Sequence, residues 1–190
     1  MIGGLVLAAG AGTRFGGRKQ LAELDGVPLL EHVLREMARA PLDRVAVVVG
    51  SGAQAVLRGV ERHGAMVVVC RDWEEGQAAS LRAGLAALGG CDAAVVVLGD
   101  QPRVSAAAVG RVVRERGAGA PAVRATYGGE PGHPVLIERE LFAAAGTLRG
   151  DTGARDLLES VDVRLVPCDG LGRPDDVDTR EQLEAFRARR

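Results

Sequence analysis

The stretch LAAGAGTRFGGRKQ, Leu7 to Gln20, comes straight after the first apolar run of the chain, GLVLAA (Gly4–Ala9). Glycines at positions 10, 12, 16 and 17 stand among three cations, Arg14, Arg18 and Lys19. An apolar run that stops at a glycine-rich, basic loop reads as a strand whose carboxyl end faces a ligand, the place where open α/β sheets bind. Backbone amides and two or three cations form a cradle for an anion. A dinucleotide, a nucleoside triphosphate, or nothing beyond a flexible connection are the three readings of such a loop.

Glycine spacing separates them in part. A dinucleotide fold uses G-x-G-x-x-G and an acid about 20 positions later for the ribose. Here the spacing is G-x-G-x-x-x-G (Gly10, Gly12, Gly16), a variant some reductases carry, and the second strand ends at Gly50 with no acid. A P-loop needs G-x-x-x-x-G-K-[ST]. Gly12, Gly17, Arg18 and Lys19 miss that register, and Gln20 replaces the hydroxyl residue.

Outward from the loop, RVAVVV (Arg44–Val49), AMVVVC (Ala65–Cys70) and AAVVVL (Ala93–Leu98) are further near-continuous apolar runs, as strands buried on both faces require. PLLEHVLREMARA, AQAVLRGVERHG and GQAASLRAGLAALGG lie between them with apolar residues at helical spacing, Pro28 at a first turn and glycine at the stops. SAAAVGRVVRERGAG continues the rhythm. APAVRATYGGEPGHPVLIE then reads as two strands around a Gly/Pro turn, a hairpin that interrupts the parallel pattern. RELFAAAG and TGARDLLES predict short helices, VRLVPC a strand, and TREQLEAFRARR a closing helix capped by Thr179. The fold class is α/β: a three-layer, doubly wound, mostly parallel sheet with a β-hairpin insertion, residues 1–190 forming one domain.

A net charge of −1 gives no basic excess for nucleic acid or a membrane surface, so an anionic ligand must be met by locally placed cations. Cys70, Cys91 and Cys168 lack metal or disulfide spacing and read as small buried hydrophobes. No apolar run reaches the roughly 20 residues a membrane helix needs, and the N-terminus lacks a charged leader, so a cytoplasmic protein is expected.

A triphosphate cradle calls for a carboxylate to share a magnesium ion. Asp100, in VVVLGDQP just past the Val95–Leu98 run, lies at the same sheet edge as the loop. Asp178, in DDVDTREQL, is either a second ligand or an acid favoured at a helix start. Asp175, Asp176, Glu74 and Glu75 read as solvated loop acids, although one of the glutamates could orient a ribose. Trp73 reads as core filler beside Gly76 or as a pocket wall, and His133 as a hairpin cap or a functional group.

LAAGAGTRFGGRKQL, EGQAASLRAGL, LGDQP, GHPVLI, GDTGARDLL and DVDT occur in this order over nearly the whole chain. In that set the sequence resembles the nucleotidyltransferases of molybdenum cofactor maturation, and most closely their cytidylyltransferase family. The resemblance implies transfer of CMP from magnesium-bound CTP to the terminal phosphate of a molybdopterin-type cofactor, with release of pyrophosphate. It implies that the backbone of Leu7, Ala8, Ala9 and Gly10 lies under the base, that Gly12, Thr13 and Arg14 wrap the triphosphate, and that Lys19 neutralises it. Arg14, Lys19 and Asp100 would be the catalytic set. Gly76 and Ser80 would flank base and ribose, and Asp100 and Asp178 would hold Mg²⁺. His133, Asp151 and Arg155 would face the acceptor. Ala9 stands where the guanylyl branch carries glycine, which favours cytosine. Phe15 replaces the usual methionine, one apolar group for another. The expected partners are CTP and the pterin cofactor, neither nucleic acid nor membrane, with a transient encounter with a recipient molybdoenzyme and a monomeric chain. Two alternatives stand beside this: nucleotidyl transfer from GTP or CTP to another small phosphorylated acceptor, and an NADPH-binding reductase on the same scaffold.

Overall fold

The computed structural model describes residues 1–117 and 119–188 of the 190-residue chain. The last two arginines of the expected closing helix lie outside the described residues.

The first apolar run is strand β1 (Ile2–Ala8). A two-residue hairpin follows, β2 (Glu23–Leu24) and β3 (Val27–Pro28), turning at Asp25-Gly26. Both turn residues have positive φ, 53° and 76°, as an Asp-Gly type I′ turn demands. Helix α1 (Leu29–Arg39) begins immediately after Pro28. The parallel core continues through β4 (Arg44–Val49), α2 (Ala53–Gly59), β5 (Met66–Val69), α3 (Gln77–Ala87), β6 (Ala93–Leu98) and α4 (Ala106–Arg114). Then come the hairpin β7 (Ala122–Tyr127) and β8 (Glu130–Glu138), α5 (Glu140–Ala145), α6 (Ala154–Leu158), β9 (Val163–Pro167) and α7 (Arg180–Ala188).

One seven-stranded sheet runs β5-β4-β1-β6-β8-β7-β9. β8 pairs antiparallel with both neighbours, and the other six strands share one direction. Alternation along the strands divides the core into two layers. Val6, Val47 and Val95 point to α1 and α4, meeting Val33, Met37 and Val109. Leu5, Val48 and Val96 point the other way, to Leu81 and Leu85 of α3 and Leu157 of α6. A third cluster joins Phe15 and Leu29 to Val177, Leu183 and Phe186, so α7 docks against the glycine loop.

Two elements differ from expectation. β5 is an edge strand, with Met66 43% and Val69 53% exposed, so its apolar run is not buried on both faces. Helix α2 stops at Gly59 and Val60 turns extended, five residues short of the run read to Gly64. Among the described residues no helix is long and apolar enough to cross a membrane. The three cysteines are free and buried.

Leu5→Ala, in a fully buried position, should destabilise the fold by about 2–5 kcal/mol in urea titrations, whereas Val69→Thr on the open edge should move it by only about 0.5 kcal/mol or less.

Candidate active site

The loop after β1 is shaped by two short 3₁₀ turns, Thr13–Phe15 and Lys19–Leu21. Gly12 starts the first in the left-handed region (φ 64°), and its carbonyl accepts from the N–H groups of Phe15 and Gly17, both at 3.0 Å. Phe15 turns into the α7 cluster, which anchors the loop from below. Gln20 fixes it from above. This buried amide donates through Nε2 to the carbonyls of Ala8 (2.9 Å) and Gly10 (2.8 Å), tying the strand end to the loop.

A cleft of about 470 Å³ opens over this loop. Leu7, Ala8, Ala9 and Gly10 line it together with Gly12, Thr13, Arg14 and Lys19 of the loop. Trp73, Gly76 and Ser80 also line it, as do Asp100, Asp151 and Asp178. Arg18 is exposed and lies outside the lining, as do His133 and Arg155. Gly76 is required where it stands: its φ is 100°, and a Cβ would come within 2.4 Å of the Gly150 carbonyl. That close approach, with Ala78 N–H donating to Gly150 O at 3.1 Å, seats the Gly150–Asp151 loop against the start of α3.

Within this lining, Lys19 Nζ lies 2.6 Å from Asp100 Oδ2 and 2.9 Å from Asp178 Oδ1. Arg14 reaches Asp178 Oδ2 at 3.1 Å. Burial works against the Lys19 charge, but the two carboxylates outweigh it and hold the ammonium above the ordinary lysine range. Asp178 is held below the usual carboxylate range, chiefly by the hydrogen bond from Lys19. Its side chain turns to these cations, while Thr179 caps α7: Gln182 N–H donates to Thr179 Oγ1 (3.2 Å) and Gln182 Oε1 accepts from Thr179 N–H (2.9 Å). The segment is drawn in by Gln101, a buried amide that donates to Pro174 O (2.8 Å) and Asp176 Oδ1 (2.7 Å). Asp176 is therefore not a free loop acid; burial pushes its carboxyl up, and Asp100 adds to the shift. Glu75 is engaged by Arg82 at 3.1 Å, and Glu74 lies on the cleft wall.

Asp100 Oδ1 is buried and has no hydrogen-bond partner. An orphaned carboxylate oxygen beside a second carboxylate, in an all-oxygen donor set open to a ligand's phosphates, fits a hard divalent cation.

The sequence pattern of the MobA-like NTP transferase domain matches residues 4–165. The chain belongs to this family. Nicotine blue oxidoreductase of Paenarthrobacter nicotinovorans is 36% identical over 191 residues, spanning 95% of this chain and 93% of its own. The crystal structure of Rv0371c from Mycobacterium tuberculosis H37Rv superposes with a TM-score of 0.89 at 34% identity, covering 98% of this chain and 97% of that one. A manganese complex of Rv0371c superposes at 0.86 with 31% identity over 100% and 99% of the two chains. MobA-like membership and fold make this chain a nucleotidyltransferase.

Sequence reading passed over Gln20 and Gln101, although each stands in a motif it used. Their signal is an amide beside a charged site residue, in loops where a polar side chain could be taken as solvated. It also left His133 between cap and function. The residue lies within β8, and burial followed by the nearby Arg124 charge pushes its imidazole down to about 4. The depressed value means the unfolded chain takes up the proton first, so this site's stabilisation is present above pH 6.5 and lost as pH falls towards 4. Thermal melts at about pH 7 and about pH 4.5 should show a smaller acid loss for His133→Gln than for the parent chain.

Proposed function

We propose that this chain, working as one domain over residues 1–190, transfers CMP from magnesium-bound CTP to the terminal phosphate of a molybdopterin-type cofactor and releases pyrophosphate, in a cytoplasmic setting. The observation that carries the reading is the Lys19–Asp100–Asp178 cluster with its unpartnered Asp100 oxygen, lining the same cleft as the Gly10–Arg14 loop.

The acceptor phosphate is already anionic, so no general base is needed; the barrier lies in anion repulsion and alignment. Asp100 and Asp178 would hold Mg²⁺, which when bound neutralises phosphate oxygens. Lys19, released from the two carboxylates, and Arg14 would meet the leaving pyrophosphate. The backbone of Leu7 to Gly10 would hold the base, with Ala9 favouring cytosine, and Ser80 would lie against base or ribose. Asp151 would border the acceptor. Transfer from GTP or CTP to another small phosphorylated acceptor uses the same nucleotide half.

One observation favours a second reading: the 36%-identical relative is named as an oxidoreductase. Against an NADPH ligand stands Gly50 at the end of β4, where an acid would contact the ribose. A Cβ there would come within 2.6 Å of Trp73 Cβ and 2.8 Å of Ala9 O.

Trp73, the chain's single tryptophan, lines the cleft and makes its fluorescence a binding readout. Titrations with CTP, GTP and NADPH, each with and without Mg²⁺, should give magnesium-dependent binding that prefers CTP. Asp100→Asn should lower pyrophosphate release by about 10²–10³-fold, far more than the modest fall in melting temperature from the lost Lys19 pair accounts for. Tight NADPH binding indifferent to Mg²⁺ and to Asp100 would instead establish the reductase.

A further inference from the structure

Away from the cleft, the start of α1 meets the turn between α2 and β5, and the meeting is polar. Glu31, in the first turn of α1, accepts the Glu61 N–H at 3.1 Å through Oε2. Its other oxygen, Oε1, lies 3.2 Å from Arg35 Nη2 and 3.9 Å from His63 Nε2. On the other side of the ring, His63 Nδ1 lies 3.6 Å from Glu61 Oε1. His63 takes a positive φ, 48°, ahead of Gly64 at 83°, so the chain reverses here and brings the imidazole back to α1.

Among the described residues, Glu31, Glu61 and His63 are the group of histidine and carboxylate ligands whose donor atoms all lie within 4.8 Å of one another. Both ring-to-carboxylate separations exceed hydrogen-bond length. Yet His63 Nε2 is buried and has no hydrogen-bond partner. A buried ring nitrogen left unpaired is costly and calls for an occupant of the gap it faces. Ligand atoms that share one zinc-sized ion, at bonds of about 2.0–2.2 Å, stand roughly 3–4 Å apart. The two separations are therefore a small side-chain movement from a closed site. Glu61 is 71% exposed and free to make that movement, while Glu31 and His63, at 14% and 20%, hold their positions. Arg35, on the solvent side of Glu31, is 37% exposed and can yield its oxygen to an ion.

One imidazole and two carboxylates suit zinc and its neighbours, whereas the all-oxygen set of Asp100 and Asp178 suits magnesium. None of the three residues lines the cleft. The elements they join nevertheless border the 3₁₀ turn that carries Lys19. Leu21 of that turn packs over Gly59 at the end of α2, where a Cβ would come within 2.8 Å of Leu21 Cδ2. Leu29 N–H, at the start of α1, donates to Ala22 O at 2.8 Å.

We propose that Glu31, Glu61 and His63 form a metal site outside the cleft, for a divalent cation of the zinc class, which clamps the first turn of α1 to the α2–β5 turn and braces the Lys19 turn. The site stands whether or not the chain transfers nucleotides.

The test titrates Zn²⁺ into the untagged, metal-stripped chain in excess Mg²⁺, in competition with a chromophoric chelator. One equivalent should bind, and a saturating excess should raise the melting temperature by about 5 °C or more. The chain has three histidines, so imidazole NMR can be assigned and should show the His63 ring nitrogens shifted by the ion. His63→Gln and Glu61→Gln should each weaken binding at least about 10-fold, since a direct ligand is worth no less than an outer partner. Asp100→Asn should bind zinc as the parent chain does. Amide exchange at Leu21 and Ala22, which donate to Arg18 O and Lys19 O, should slow in the zinc-bound protein. No zinc binding, zinc binding undiminished in both glutamine variants, displacement by Mg²⁺, or loss in Asp100→Asn would each overturn the site, and exchange unmoved by bound zinc would overturn the brace. Because Glu61 is exposed, its variant reads the site even where His63→Gln disturbs the turn.

Discussion

Lys19 joins two carboxylates that the chain delivers from 81 and 159 residues away. Three structural units meet at that ammonium: the loop after β1, the end of β6, and the segment before α7. Their backbone bonds follow the same convergence, with Gly99 N–H donating to Leu7 O at 2.9 Å and Val177 N–H to Asp100 O at 3.0 Å. Charges so close would repel one another without the lysine, since Asp176 also lies within the field of Asp100 and Asp178. Asp178 would have no reason to face the cleft if Phe15, Val177 and Phe186 did not pack as one cluster. The apolar contact brings the acid in, and the ion pair aims it.

Most of the architecture was legible because parallel strands leave a strong signature. Arg44–Val49 and Ala93–Leu98 lie where continuous β-branched runs put them, and the Gly/Pro-rich turn separates β7 from β8. The run at Met66–Val69 has the same composition, but nothing in it distinguishes an edge from a centre; strand order does, and order is a long-range property. The Asp25-Gly26 hairpin has a local signal that the sequence reading did not use. It spans two residues per strand, too few for alternation to register.

The candidate site divides along the same line. Gly10, Gly12, the loop cations Arg14 and Lys19, and Asp100 after a buried strand are local signals, and these residues come together around one cleft. The buried amides Gln20 and Gln101 carried none. Each serves carbonyls or a carboxylate supplied by other parts of the chain, and a side chain's partners are not written in its own neighbourhood.

β8 is the strand that opposes the sheet's common direction, and it inserts between β6 and β7 as one arm of a hairpin. Its distal part, from the Gly128–Gly129 turn to Pro134, lies beyond the pairing with β6 and can change without disturbing the β-α-β units on which the nucleotide loop depends. The fold thus separates what must stay fixed from what is free to diverge. A lineage could acquire new second substrates, or a new chemistry altogether, by rewriting one wall of an old room. Descent of that form would allow relatives with very different activities to keep the same glycine loop.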